Sequence, residues 1–275
     1  MDNNIKHAAS LIANADALLI CAGAGMGVDS GLPDFRSEGG FWKAYPALER
    51  AGIEFHNIAR SCTFLADPEL AWGFYGHRLK LYRETAPHDG FRILENIGER
   101  LPHGAFVFTS NVDGQFQKAG FSDNQVYECH GSIHYMQCTE GCTGRIWSDS
   151  SFKPDVDAEH CRLINPLPRC PMCGGVARPN IQMFWDDNWL AHRGRGKRKQ
   201  INAWLDGVKN PVTIEIGAGT TLPAVREFGQ NEKIRINLAE PDIPSGKKGV
   251  ALKMGGLDAL RRIEAALDQL NFAGL

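Results

Sequence analysis

The chain has 275 residues, a formal net charge of −2, and 43% apolar against 23% charged residues. A chain of this size and composition buries roughly three quarters of its unfolded surface, which excludes disorder, fibrous repeats and any dependence on disulfides for folding. The balanced charge argues against a general affinity for nucleic acid or a membrane surface, and no apolar run approaches the roughly 20 residues of a spanning helix.

Met1-Asp2-Asn3-Asn4 lacks the basic-then-apolar pattern of a signal peptide. The expected compartment is therefore the cytosol, where eight cysteines read as metal ligands or chemistry. Residues 5–14 predict an amphipathic helix. Ala17-Leu18-Leu19-Ile20-Cys21 is apolar throughout, as a parallel strand covered on both faces must be, and Gly23-Ala24-Gly25 follows at once. Helical patterns run over 68–84 and 88–101. A second apolar run, 105–108, leads into Thr109-Ser110-Asn111. Residues 134–180 are short-ranged and rich in Pro, Gly and Cys, and read as a small inserted module. The run 193–199, with five positive charges in seven positions, predicts a solvated loop, with an acidic or phosphate contact as the alternative. Strands at 212–216 and 233–236 follow, ending in Gly217-Ala218-Gly219 and Asn237, and a helix at 256–270 closes the chain.

Alternating strands and helices predict an α/β fold: a Rossmann-like doubly wound parallel sheet. Its ligand belongs beyond the carboxyl ends of the strands, where the small and polar clusters fall. The expected division places 1–133 and 181–275 in the sheet domain and 134–180 in the module, with a further inserted helical part near 43–85. Within the module, Cys138-x3-Cys142 and Cys170-x2-Cys173 form two knuckles. Closely spaced thiol pairs suit a tetrahedral zinc, and four thiolates leave no open position, so one structural zinc per chain is expected. His134, His160 and Cys161 lie nearby in sequence as weaker candidates. Cys21 and Cys129 read as buried small hydrophobes.

A Gly-Ala-Gly turn after a strand is a weak dinucleotide signal by itself. Here it continues as Met26-Gly27-Val28-Asp29-Ser30-Gly31-Leu32-Pro33-Asp34-Phe35-Arg36 and on to Gly40-Phe41-Trp42. This resembles the NAD-binding signature of the sirtuins, the NAD-dependent protein deacylases. Further resemblances follow in family order: Thr109-Ser110-Asn111-Val112-Asp113, His130-Gly131, the four cysteines, Arg178-Pro179-Asn180-Ile181-Gln182-Met183-Phe184, Ile216-Gly217-Ala218-Gly219 and Ile236-Asn237. The likeness spans roughly residues 15–265. There are departures: Gly27 stands where the family has Ser, Ser110 where it has Gln, and Trp185-Asp186 where Gly-Glu is common. The first knuckle has three intervening residues instead of two.

The resemblance implies removal of acyl groups from protein lysine, with NAD as co-substrate and nicotinamide and O-acyl-ADP-ribose as products. It makes His130 the general base, with Asn111 and Asp113 beside the nicotinamide and ribose. It implies a cofactor loop of Gly23, Ala24, Gly25, Asp34, Phe35, Arg36 and Trp42. Ser110, Gly217, Gly219, Thr220 and Asn237 complete the cofactor set, the last loop contacting it through either 217–219 or 219–221. Ile181 and Phe184 fall in the segment that pairs with substrate peptide. Tyr75-Gly76-His77-Arg78 resembles the element of the branch that prefers malonyl, succinyl and glutaryl lysine; at i, i+3 on a helix both side chains share a face. The alternatives are an ADP-ribosyltransferase or NAD glycohydrolase on the same scaffold, and an NAD-sensing binding module.

Overall fold

The computed structural model describes residues 2–33, 38–148, 150–221, 223–229 and 232–272. Asp34, Phe35 and Arg36 therefore lie outside the described residues. The strands are β1 (Ala17–Ala22), β2 (Ala105–Thr109), β3 (Val126–Glu128), β4 (Gly131–Cys138), β5 (Ile146–Ser148), β6 (Val156–Asp157), β7 (Arg162–Leu163), β8 (Ala177–Ile181), β9 (Pro211–Ile216), β10 (Lys233–Ile236) and β11 (Gly249–Leu252). Six of them form one sheet in the order β11-β10-β9-β1-β2-β3, parallel throughout.

β1 and β2 bury every residue, because helices cover both faces of the sheet. One layer is built by the helix Asn3–Ala13 with Gly256–Gln269 and Asp89–Glu99, whose Ile5, Ile12, Leu94, Ile97, Leu260 and Ile263 join Leu18, Ile20 and Val107 in one apolar core. Asp2 starts the first of these helices by accepting from Asn4 N at 2.9 Å, the ordinary N-terminal cap. On the opposite face, Leu19, Phe106 and Phe108 pack with Ile201, Val225 and Trp204.

From β1 the chain builds outward to β2 and β3, then returns to the other side of β1 for β9, β10 and β11. The order reverses between β1 and β9, and a crevice at that reversal is where such sheets hold ligands.

A three-stranded antiparallel sheet, β5-β4-β8, carries the cysteines. Against it packs the helix Pro68–Glu84, whose first turn has Pro68 at its start and Asp67 accepting from Leu70 N at 3.1 Å. Trp72, Phe74, Tyr75 and Leu79 from this helix meet Ile133, Met136, Ala177 and Ile181 in a second apolar core.

The basic run departs from its expected form. Residues 193–199 belong to the helix His192–Asp206, not to a loop. Arg193 pairs with the buried Glu128 at 2.8 Å, and Lys197 with Asp123 at 3.3 Å, so distant carboxylates stabilise a segment whose own sequence is a poor helix former. No helix of the described residues is long and apolar enough to cross a membrane.

Candidate active site

The strand ends converge on one cavity of about 360 Å³. Ala24 reaches it from the end of β1, Ser110, Asn111 and Asp113 from the end of β2, and His130 from just past β3. Ile181 and Phe184 line it from the end of β8, and Tyr75, Arg78 and Tyr82 from the helix Pro68–Glu84. Residues separated by more than 100 positions in sequence thus share one chamber between the two sheets.

The glycines of the first loop are demanded by backbone approach. A Cβ on Gly23 would lie 2.6 Å from the carbonyl oxygen of Gly217, and one on Gly25 would lie 2.6 Å from Gly217 Cα. Gly217 itself has φ +59 and would place a Cβ 2.4 Å from Gly25 Cα, so the loops after β1 and β9 cross backbone on backbone. Replacing Gly217 with Ala combines a left-handed backbone with a clash against main chain. The expected outcome is a loss of several degrees in melting midpoint together with weaker NAD binding, read by calorimetry and equilibrium titration.

Asn111 donates from Nδ2 to the Gly23 carbonyl at 2.9 Å, while its own N–H donates to Thr109 Oγ1 at 3.0 Å. The amide is thereby held across β1 and β2 at the crevice mouth. Asp113 is buried, accepts from Gln115 N at 2.9 Å, and has its carboxyl pushed up to about 6 by burial. His130 has its backbone carbonyl tied to Gln182 N at 2.9 Å, and the preceding Cys129 N–H donates to Thr109 O at 2.8 Å. The histidine is fixed between the large sheet and the small one.

Arg78 is 9% exposed, and its Nε and Nη2 donate to Tyr82 Oη at 3.1 and 2.8 Å. Burial pushes the Tyr75 phenol up to about 12, so it remains an O–H donor at physiological pH. The Tyr75 ring stacks on Phe64 at 5.5 Å. Together these give one cation and a phenol donor inside an otherwise apolar wall.

Phe184 donates its N–H to Ala59 O at 3.0 Å. The turn that follows is anchored by Asp186, which meets Arg178 in two 2.8 Å bonds with both side chains almost fully buried. Trp185 in that turn has φ +50, is 69% exposed, and lies under the Arg60 guanidinium at 4.2 Å. Sequence reasoning missed Tyr82 and Asp186 as supporting residues. Tyr82 stands four residues beyond Arg78 on one helix face, which is the signal that could have found it.

The remaining expected cofactor residues lie elsewhere. Trp42 is half-buried in the helix Glu38–Ala44, beside Phe41 at 5.0 Å, and does not line the chamber. Asn237 donates to Ala218 O at 3.0 Å and accepts from Ala239 N and Glu240 N at 2.9 and 3.0 Å. Its side chain closes the loop after β10. Thr220 donates to Glu240 Oε1 at 2.9 Å, and a Cβ on Gly219 would meet open space.

The four predicted thiols come together. All sulfurs of Cys138, Cys142, Cys170 and Cys173 lie within 4.8 Å of one another, with Cys138–Cys173 at 3.8 Å and Cys142–Cys170 at 3.6 Å. A tetrahedron of thiolates around zinc, with bonds of about 2.3 Å, has edges of about 3.8 Å. The set therefore fits the ion. Gly141 and Gly174, at φ +67 and +73, turn the two knuckles, and the extra residue of the first is absorbed there. Burial would raise Cys170, but the N–H groups of Cys173 and Met172 outweigh it and bring the thiol down to about 7, close to the deprotonated form a metal needs. The other candidates are occupied elsewhere: His134 Nε2 meets Asp113 O at 2.8 Å, and His160 Nδ1 meets Asp157 at 2.7 Å.

The Sir2 family profile matches residues 23–199. An NAD-dependent protein deacylase of Aeropyrum pernix is 28% identical over 269 residues, covering 96% of this chain and 97% of that protein. The mitochondrial NAD-dependent protein deacylase sirtuin-5 of Canis lupus familiaris is 30% identical over 199 residues, covering 67% of this chain and 61% of its own length. In fold, the chain is similar to a Sir2 homologue solved as an ADP-ribose complex, with TM-score 0.70, 22% identity and full coverage of both chains.

Proposed function

This chain belongs to the Sir2 family, and on that membership we propose that it is an NAD-dependent protein lysine deacylase whose chamber is built for acidic acyl groups. NAD is the co-substrate: rupture of its nicotinamide–ribose bond supplies an electrophilic sugar carbon for the acyl-lysine carbonyl oxygen. The observation that carries the reading is the meeting in one chamber of His130, Asn111 and Asp113 with Tyr75 and Arg78.

The residues divide the work. The crossing of the 23–25 and 217 loops brings glycine backbone together at the sheet's reversal point, the place where such sheets hold a pyrophosphate. Asn111, fixed by Gly23 and Thr109, presents an amide able to donate and accept on the nicotinamide side. Asp113, ionised above about pH 6, orients the ribose as positive charge develops on it. His130 in its neutral form removes a proton from a ribose hydroxyl. Ile181 and Phe184 border the passage for the acyl-lysine stem. Cys138, Cys142, Cys170 and Cys173 hold zinc, which ties the small sheet together.

The acyl specificity rests on Arg78 and Tyr75. A guanidinium and a phenol hydroxyl can both donate to a terminal carboxylate. A charge-assisted contact is worth roughly 1.5–3 kcal/mol, and each 1.4 kcal/mol is about tenfold in rate. Succinyl- or malonyl-lysine peptides should therefore be turned over with about 10- to 100-fold higher kcat/KM than acetyl peptides. Arg78→Met keeps much of the aliphatic stem and removes the fork. It should abolish that preference while leaving deacetylation nearly unchanged. Nicotinamide release on a matched panel of acyl peptides decides it, and equal losses on all acyl groups would assign Arg78 to packing.

A further inference from the structure

We propose that the face of the helix His192–Asp206 turned toward β3 forms a second anion site, built for a small phosphorylated ligand with a planar body such as a mononucleotide. A cavity of about 340 Å³ lies there, lined by Tyr127, Cys129, Trp189, Arg195, Arg198 and Lys199. It shares no lining residue with the catalytic chamber. In the turn just past β3, His130 lines one cavity and Cys129 the other. Cys129, expected to be fully buried, is accordingly only partly so.

Three features identify the ligand's chemistry. Arg195, Arg198 and Lys199 stand at i, i+3 and i+4 on one helix face. Among the described residues, carboxylates pair with Arg193 and Lys197 of this helix, and none pairs with these three. Arg198 instead reaches the Tyr127 hydroxyl. The charged groups that line the cavity are all cationic, and the rest of its wall is largely apolar. The complement is an acceptor-rich anion. Tyr127 and Trp189 add aromatic surface, which suits a planar base stacked beside a phosphate held by guanidinium groups.

The helix bears local costs for this arrangement. Like charges at helical spacing repel, and Gly194 and Gly196 are weak helix formers. Gly194 has a visible purpose: a Cβ there would lie 3.0 Å from the Tyr127 ring, so glycine lets the helix settle onto it. The cationic cluster has no carboxylate partner among the described residues. The cavity's volume falls in the range of small-molecule sites, and a chain of net charge −2 lacks the broad basic field of a nucleic-acid binder.

The test is a titration of the full-length protein with AMP, followed by the indole resonance of Trp189 and assigned by its loss in Trp189→Phe. A saturable shift with a dissociation constant below about 1 mM is expected, with inorganic phosphate at least tenfold weaker. The exposed triple substitution R195Q/R198Q/K199Q should weaken AMP at this resonance tenfold or more while NAD binding in the main crevice stays unchanged. A Trp189 resonance that does not move, an identical shift in the triple variant, or equal affinity for phosphate and AMP would each overturn the assignment.

Discussion

Replacing His130 with Ala lowers turnover by about 100-fold or more while fold and NAD affinity stay within a few fold. The expectation follows from where the residue is held. Its carbonyl accepts from Gln182 and its neighbour Cys129 donates to Thr109, so the main chain at this point is fixed by bonds that the substitution does not touch. The imidazole itself lines the chamber with Asn111 and Asp113. A positioned general base is worth about 10²- to 10⁴-fold. Single-turnover nicotinamide and acyl-product formation, measured on a variant with an unchanged melting curve, reads this directly. Near-normal turnover would remove His130 from the proton-transfer step.

The second large effect belongs to the cysteines. Cys170→Ala with Cys173→Ala should take metal content from one zinc per chain to none. Cys138 ends β4, and the hairpin closed by Cys170 N–Gly175 O at 2.7 Å leads into β8. A metal held by these four thiols would join the two strands that carry the small sheet and, through β8, the Phe184 turn. Structural zinc commonly contributes about 10 kcal/mol or more of apparent binding energy. A loss of even about 5 kcal/mol would lower the melting midpoint by roughly 10 °C or more in a chain of this size. Elemental analysis and a melting curve check both parts. Full metal content in the double variant would show that other ligands hold the ion.

Much of the fold was legible because of where it is buried. β1 and β2 are covered on both faces, so their apolar runs stand out without any periodicity, whereas β9 and β10 alternate Val212, Ile214, Ile216, Ile234 and Ile236 with the buried Thr213, Glu215, Lys233 and Arg235. β11, four residues long after an irregular stretch, was not foreseen. Glu128 sits buried in β3 only because Arg193 reaches it from 65 positions away, a pairing no local pattern announces. The same pair explains why the basic run is helical. At the site, His130, Asn111, Asp113, Tyr75 and Arg78 lie in motifs, and the strand ends bring them together. Asn237 also bonds Ala218, Ala239 and Glu240 through its amide, contacts that no local pattern announces. Tyr82 and Asp186 act by holding Arg78 and the Phe184 turn, and supporting contacts of that kind become visible only with coordinates.

The central claim is tested most directly by identifying the products formed from NAD and a succinyl-lysine peptide. Mass spectrometry should find nicotinamide, free-lysine peptide and O-succinyl-ADP-ribose in equal amounts, with no nicotinamide released when peptide is omitted. Peptide-independent release of free ADP-ribose, or ADP-ribose attached to protein with the acyl group still on lysine, would contradict the deacylase assignment.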